Sequence, residues 1–567
     1  MARGIKSYRF FTAPIKGLNR SRPALLLAED EAADIQNMII DQGRLRTRPG
    51  YEYYCSAINP RFLQAYHYET YDGATSSYGK VLALMNHSAG RLWRQSGAYS
   101  VNYQSTATWS GLPASSYFFL LSTNGTSACK SSIHLHNLLS TTDGFLATTE
   151  ILAYSDNNPR LVFAWGNVQD NPHPRVAPLC YIRSAHDMLR YMNLSTTDYQ
   201  STWCPLPTSA TTARPAPVAK IVRGYEGHLV LLNTFEQGKA YPWRVRWPHE
   251  GFLSPNHWPS EQYADLMDTP GAIVNAEILY NQLVVYKTDA IVGMIYLANA
   301  NETFRFDWYF KNEGLLAPGL LVNLGNSHIF VGTQNIYQFY GGNNIDRIGE
   351  PVWDQFLADL DDSETTGLGP VRNRAVMVHF RDLRSVAIFI PTTSQKWPQK
   401  AYVYQYDQRV WTIWKTAHNV SGWGEFEQSI GDEVVYLPIT GDTAGKIYSW
   451  DGDATADLAS AISQFFVTKA FVSPDGPGNR AYADMLDVDA IANSASDQLS
   501  IQHRVDGASA WTNTGTLTLS GAGQSKTYQQ GFHQAYKRMQ LRFVTSAAHS
   551  RPHIELFGIR ENMGDQH

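Results

Sequence analysis

Apolar and aromatic residues in this chain come in short runs, each closed by Gly, Asn, Asp or Pro, from about Leu63 to Trp450. Runs such as Leu283-Val284-Val285-Tyr286-Lys287 and His328-Ile329-Phe330-Val331-Gly332 are too short for helices and rich in β-branched and aromatic residues. They predict strands buried on both faces. A strand, tight turn, strand unit spans residues 220–233 around Gly224-Tyr225-Glu226-Gly227-His228, and the alternating Arg244-Val245-Arg246-Trp247 follows it. The unit returns at residues 276–296, at 320–340 and at 374–414, where Val410-Trp411-Thr412-Ile413-Trp414 closes it. A last unit covers 434–437 and 446–450. A spacing of about 45 to 60 residues fits, or slightly exceeds, the period of β-propeller blades.

The two ends differ from this rhythm. Residues 11–19 read as an extended arm, and Ala32, Ala33, Ile35, Gln36 and Asn37 predict a short helix over residues 29–40, with Gly43 as its stop. Arg44, Arg46 and Arg48 alternate, which in a strand puts them on one face. That face is either a solvated edge that resists aggregation or an ionic contact with a partner subunit or adaptor. Beyond a polar linker at 451–457, segments 462–471, 481–489, 498–505, 514–519 and 538–544 alternate polar with apolar residues, and 554–559 is mostly apolar. The expected architecture is all-β: an N-terminal arm and short helix (1–50), an irregular β-propeller (51–450) with a less regular insertion around 130–217, and a C-terminal antiparallel β-sandwich (451–567).

Composition narrows the function. Of 567 residues only 17% are charged, while 32 Tyr, 24 Phe and 15 Trp make 13% aromatic. Low charge with many half-polar aromatics suits a chain that hides surface in an oligomer. A net charge of −5 speaks against a dedicated nucleic-acid binder, though not against a channel that DNA traverses without sticking. Cys55, Cys129, Cys180 and Cys204 show no zinc-type spacing. The basic N-terminus lacks an apolar core like that of a signal peptide, and no apolar run is long enough for a membrane helix.

Motifs for chemistry are sparse. There is no GxSxG, HExxH, P-loop or GxGxxG. His134 and His136 share a strand face without an evident third metal ligand. Asp451, Asp453 and Asp457 have calcium-loop spacing, but Ala456 stands where glycine is required and Ile462 where the distal Glu is required. Glu350, Asp354, Asp359, Asp361, Asp362 and Glu364 form an acidic stretch. It reads as a surface loop, or as a wall whose negative charge keeps DNA from sticking. A glycosidase reading needs convergent carboxylates and, for sialidases, repeated Asp boxes, and those boxes are absent.

Several segments together resemble a known family. Pro14-Ile15-Lys16-Gly17-Leu18-Asn19, Ala33-Asp34-Ile35-Gln36-Asn37 and Gly43-Arg44-Leu45-Arg46-Thr47-Arg48-Pro49-Gly50 are similar to the start of tail nozzle proteins of short-tailed bacteriophages. That family is also called tail tubular protein B and is related to packaged-DNA stabilisation proteins. The likeness continues, in order, in Gly227-His228-Leu229-Val230-Leu231-Leu232-Asn233, Arg244-Val245-Arg246-Trp247 with Trp258, Asn312-Glu313-Gly314-Leu315-Leu316-Ala317-Pro318, Ile336-Tyr337-Gln338-Phe339-Tyr340-Gly341-Gly342, and Tyr404-Gln405-Tyr406-Asp407 with Trp411-Thr412-Ile413-Trp414. Residues 130–217 match least.

The resemblance implies a non-enzymatic virion protein without cofactor, assembled in the host cytoplasm. It implies a hexameric ring below the portal and adaptor that extends the DNA channel, retains packaged double-stranded DNA and opens for ejection, with tail fibres or spikes docking nearby. Two other readings suit an all-β chain: a fibre-type or receptor-binding virion protein, and a propeller that binds or hydrolyses glycans.

Overall fold

The computed structural model describes residues 6–55, 218–247, 261–299 and 302–563 apart from short interruptions, together with the backbone of strands between residues 62 and 181. The chain is all-β. Among the described residues one α-helix, Trp353–Asp359, and two 3-10 turns, Ala24–Leu26 and Val371–Arg374, are the only exceptions.

Five antiparallel units follow one another, starting at Val218, Ile273, Leu321, Val376 and Val420, about every fifty residues; the first three are separate four-stranded sheets, the fourth is four strands of a ten-stranded sheet and the fifth belongs to a six-stranded sheet. The second is typical: Ile273–Leu279, Gln282–Lys287, Ala290–Tyr296 and Phe304–Lys311 pair in sequence order. The runs anticipated as strands are the first three of each of the first three units, all four of the fourth, and the second and third of the fifth, where Val420–Ile430 was not anticipated. The fourth strands, Tyr263–Asp265, Phe304–Lys311 and Asn344–Arg347, are more exposed and carry charge, so no apolar run marked them. The continuous apolar runs have a simple cause, because each sheet packs on both faces. Leu283 and Val285 join a core with Val230, Leu232 and Val245 of the first sheet. Val284 and Tyr286 point the other way, into a core with Ile329 and Phe330 of the third. Trp411 and Trp414 divide likewise between two cores. Both indole N–H groups are satisfied, Trp411 on the Ile348 carbonyl at 2.7 Å and Trp414 on the Met38 carbonyl at 3.2 Å. These tryptophans are therefore core and not interface.

The fifth sheet has only three consecutive strands, Val420–Ile430, Glu433–Asp442 and Ile447–Asp451. Its fourth comes from the start of the chain: Gly50–Cys55 pairs antiparallel with Ile447–Asp451. Among the described residues no sheet closes into a barrel.

The N-terminal region is not an arm. Lys6–Thr12 pairs along its whole length with His553–Met563. The expected helix over 29–40 is absent; those residues form the strands Ala32–Gln36 and Met38–Asp41. The physical reason is Asn37, which takes a left-handed conformation (φ 57°) and breaks any helix there. Its side chain is then committed to tertiary partners: the Lys415 N–H donates to Asn37 Oδ1 at 2.7 Å, and Asn37 Nδ2 donates to the Ser463 carbonyl at 2.7 Å. Gly43 is not a helix stop either. With Gln42 (φ 49°) and Gly43 (φ 75°) both left-handed, it makes a two-residue hairpin turn between Met38–Asp41 and Arg44–Thr47.

Ala32–Gln36 is a bridge between sheets. It pairs antiparallel with Gln464–Thr468 and, through Gln36 and Ile413, parallel with Val410–Lys415. A single ten-stranded sheet thus runs from the fourth repeat through the N-terminal strand into the C-terminal residues. There it continues as Arg538–Thr545, Gln498–Val505 and Thr512–Thr518. A six-stranded sheet built from Lys6–Thr12, Met38–Asp41, Arg44–Thr47, His553–Met563, Ala481–Ile491 and Ser525–Tyr536 faces it. Rings from the two meet: Phe11 lies 4.2 Å from Phe471, and Phe543 lies 5.2 Å from Phe557. Ser525–Tyr536 is largely exposed and polar, and its sequence carried no strand signal.

Candidate functional site

The three alternating arginines meet different fates. Arg44 is half-exposed and paired with Glu555 at 3.0 Å, and Arg46 reaches Asp41 at 2.8 Å across the hairpin. Arg48 lies beyond the strand and is fully buried. Its guanidinium donates to both Asp457 oxygens at 2.8 and 2.5 Å, to the Pro49 and Lys415 carbonyls at 2.8 Å and to Asn37 Oδ1 at 3.1 Å. Trp450 and Tyr51 rings flank it. Burial removes Arg48 from any contact with another subunit. Asp457, expected in a linker, sits in the short strand Ala456–Asp457 against Tyr51.

Three residues of the acidic stretch, Asp359, Asp361 and Asp362, are neutralised within the chain. Asp359, at the end of the helix, accepts from Lys400 Nζ and the Tyr402 hydroxyl. Burial alone would raise its carboxyl, but these two donors outweigh burial and hold it below the usual carboxylate range. Asp361 is buried and accepts from Lys396 Nζ and the Ser363 N–H. The same contest, burial against Lys396 and Ser363, lowers its carboxyl too. Asp362 pairs with Arg372. Asp354 differs: it is exposed in the first turn of the helix and forms no ion pair among the described residues. Paired carboxylates contribute little net field, so of these four only Asp354 is left to present negative charge.

Asp354 lines a cavity of about 390 Å³ between the loop at Asn19–Arg22, the Trp353–Asp359 helix and Arg504. Arg20, Arg22 and Arg504 are among its lining residues, together with the apolar Leu27, Ala33 and Ala358. The only hint in the sequence is Asn19-Arg20-Ser21-Arg22, two arginines in a loop; nothing local ties them to Arg504.

A second arrangement that sequence reasoning missed anchors the first strand. Glu561, with a fully buried side chain, accepts from Arg9 at 2.5 and 3.0 Å and from the Tyr536 hydroxyl. Five histidines are buried among the described residues, His228, His328, His379, His418 and His503, and three of them show how the interior treats an imidazole. Burial, then the Arg48 charge, pushes His418 down to about 3. Burial, then Arg381, pushes His379 down to about 4. Burial also lowers His328. Each is a fold contact: His418 packs between Tyr51 and Tyr448, and His328 Nδ1 meets the Tyr286 hydroxyl at 2.9 Å.

No group of three or more His, Cys, Asp or Glu among the described residues is placed to hold a metal. The side chains of His134, His136 and all four cysteines, and residues Asp453 and Trp258, lie outside the described residues. No helix of the described residues is long and apolar enough to cross a membrane. No protein-family model matches the chain, and no curated protein is significantly similar to it.

Proposed function

We propose that this chain is a structural subunit of a short-tailed phage tail, a nozzle component that extends the DNA channel below the portal and adaptor. The observation that carries the reading is where the family-like segments fall: they hold one another. The Leu18 N–H donates to the Trp411 carbonyl at 2.7 Å, and the Asn37 N–H to the Ile413 carbonyl at 2.7 Å. Arg48 reaches the Lys415 carbonyl. Glu313 accepts from the Thr333 N–H at 2.7 Å and from the Tyr337 hydroxyl at 2.7 Å. Segments far apart in sequence and similar to one family thus serve a common scaffold, as expected of a structural protein.

A propeller is the architecture this reading calls for. Support comes from the first strands of the five sheets, Val218–Tyr225, Ile273–Leu279, Leu321–Asn323, Val376–Phe380 and Val420–Ile430, each beside the next. The N-terminal strand Gly50–Cys55, paired with Ile447–Asp451, ties the start of the chain to the last of these sheets. The C-terminal sheets would then be an appended β-sandwich, sharing strands with residues 6–47.

Light scattering and negative-stain imaging test the proposal, on the purified chain alone and mixed with the portal–adaptor complex of its phage. Rings of about six subunits, alone or on the adaptor, support it, since head-to-tail contacts that close make rings. A persistent monomer or trimer that ignores the adaptor refutes it and favours the fibre or glycan-binding readings.

A further inference from the structure

The cavity beside Asp354 is charged in a way the scaffold does not require. Its lining includes Arg20, Arg22 and Arg504 against a single carboxylate, Asp354. Arg20 is paired with Asp34 at 2.9 Å. Arg22 forms no ion pair or hydrogen bond among the described residues. Arg504 is pre-positioned: its Nε donates to Gln540 Oε1 at 2.8 Å, and its guanidinium lies 4.7 Å from the Trp511 ring centre. Those contacts orient the group and leave its two terminal nitrogens as a fork without a protein acceptor among the described residues. A planar, oriented guanidinium of this kind suits bidentate binding of an oxyanion.

The walls are tied together before any ligand arrives. The Arg20 N–H donates to the Pro351 carbonyl at 2.6 Å, the Asn19 N–H to the Ala32 carbonyl at 3.1 Å, and the Ala470 N–H to the Ala24 carbonyl at 2.8 Å. Asn19 Oδ1 accepts from the Ser21 N–H at 3.0 Å, which shapes the loop that carries both arginines. A pre-formed pocket spends little of its binding energy on ordering. At about 390 Å³ it falls within the usual range for small-molecule sites, roughly 300–1,000 Å³.

We propose that this cavity binds a phosphate monoester of about nucleotide size, its phosphate held by Arg22 and Arg504 and its organic body against the apolar lining residues Leu27, Ala33 and Ala358. Two guanidiniums approaching from different segments match the several equivalent oxygens of a phosphate better than the two of a carboxylate. Asp354 sits on the rim as an opposing charge that weakens binding. The site is independent of the ring reading, because one chain supplies every wall.

Titration calorimetry on the full chain at about 0.15 M salt, with ionic strength held constant, provides the test. The probes are adenosine monophosphate, inorganic phosphate, succinate and a short DNA duplex. The expected result is that the monophosphate binds, inorganic phosphate competes more weakly, and succinate and duplex fail to compete. Arg22→Gln with Arg504→Gln is expected to weaken the monophosphate about tenfold or more, and Asp354→Asn to tighten it about threefold. Unchanged thermal unfolding of these variants keeps the comparison fair, and Asp354→Asn still tests the site if the double variant is unstable. No binding of the monophosphate, binding indifferent to all three substitutions, or equal competition by succinate overturns the proposal. Tighter binding of the duplex through the same arginines also overturns it, in favour of a nucleic-acid backbone contact.

Discussion

At the scale of single residues, the polar groups that matter most are the hidden ones. Arg48 has no exposed surface, and every one of its nitrogens is occupied. A buried pair of this kind adds little over apolar packing, but removing one partner strands the other. Arg48→Ala is therefore expected to cost about 3–5 kcal/mol, read as a loss in denaturant midpoint, whereas Arg44→Ala, on an exposed pair, changes it by less than about 1 kcal/mol. His418 sets an acid limit. Its folded-state value is about 3, below the ordinary 6.5, so the unfolded chain takes up a proton that the fold refuses. Stability is full above pH 6.5 and falls as the pH drops from 6.5 towards 3, by about 1.4 kcal/mol per pH unit for this one group. His379 adds to the fall down to about pH 4. A His418→Leu variant is expected to show a shallower fall in thermal midpoint between pH 6.5 and 4.5 than the parent; equal slopes would contradict the assignment.

At the scale of elements, the apolar runs were legible because sheets buried on both faces write themselves as continuous hydrophobic strands. Gln498–Val505, with alternating burial, was read with the bounds it has in the structure. Residues 29–40 were misread because Ala32, Ala33 and Gln36 are good helix formers, and propensity is a weak prior against tertiary pairing. The commitment of Asn37 to Lys415 and Ser463 decides the matter, and no local window contains those partners. Gly17 makes the same point in the opposite sense. It has φ +72°, and a Cβ there would lie 2.6 Å from the Trp411 carbonyl oxygen. The need for glycine arises from a strand nearly four hundred residues away. Gly17→Ala is expected to cost about 3 kcal/mol in chemical denaturation, combining backbone strain with a steric clash.

At the scale of the whole molecule, the two ends of the chain are woven together. Lys6–Thr12 pairs with His553–Met563, Gly50–Cys55 joins the sheet that begins at Val420 by pairing with Ile447–Asp451, and Ala32–Gln36 joins the fourth repeat to Gln464–Thr468. Independent domains would melt separately, but shared strands couple their unfolding. Calorimetry is expected to show one transition covering the fourth and fifth sheets and the C-terminal residues. Ile35→Pro, which removes the N–H that donates to Asp34 Oδ1 at 3.0 Å and fixes the backbone in the middle of the bridging strand, is expected to split it into two. Two transitions in the parent chain would mean that the bridge carries no coupling.

The sequence by itself determined the class of the fold, the positions of most buried strands and the change of pattern near residue 451, because these depend on the period of apolar residues, which is local. It also suggested a scaffold rather than an enzyme. Tertiary structure alone decided that strands between Lys6 and Cys55 join three sheets, that Arg48 is an interior residue, that Asp359, Asp361 and Asp362 are neutralised, and that Arg22, Arg504 and Asp354 share a cavity. Each of these depends on which distant groups meet, and a cation reads the same in a sequence whether water or a carboxylate awaits it.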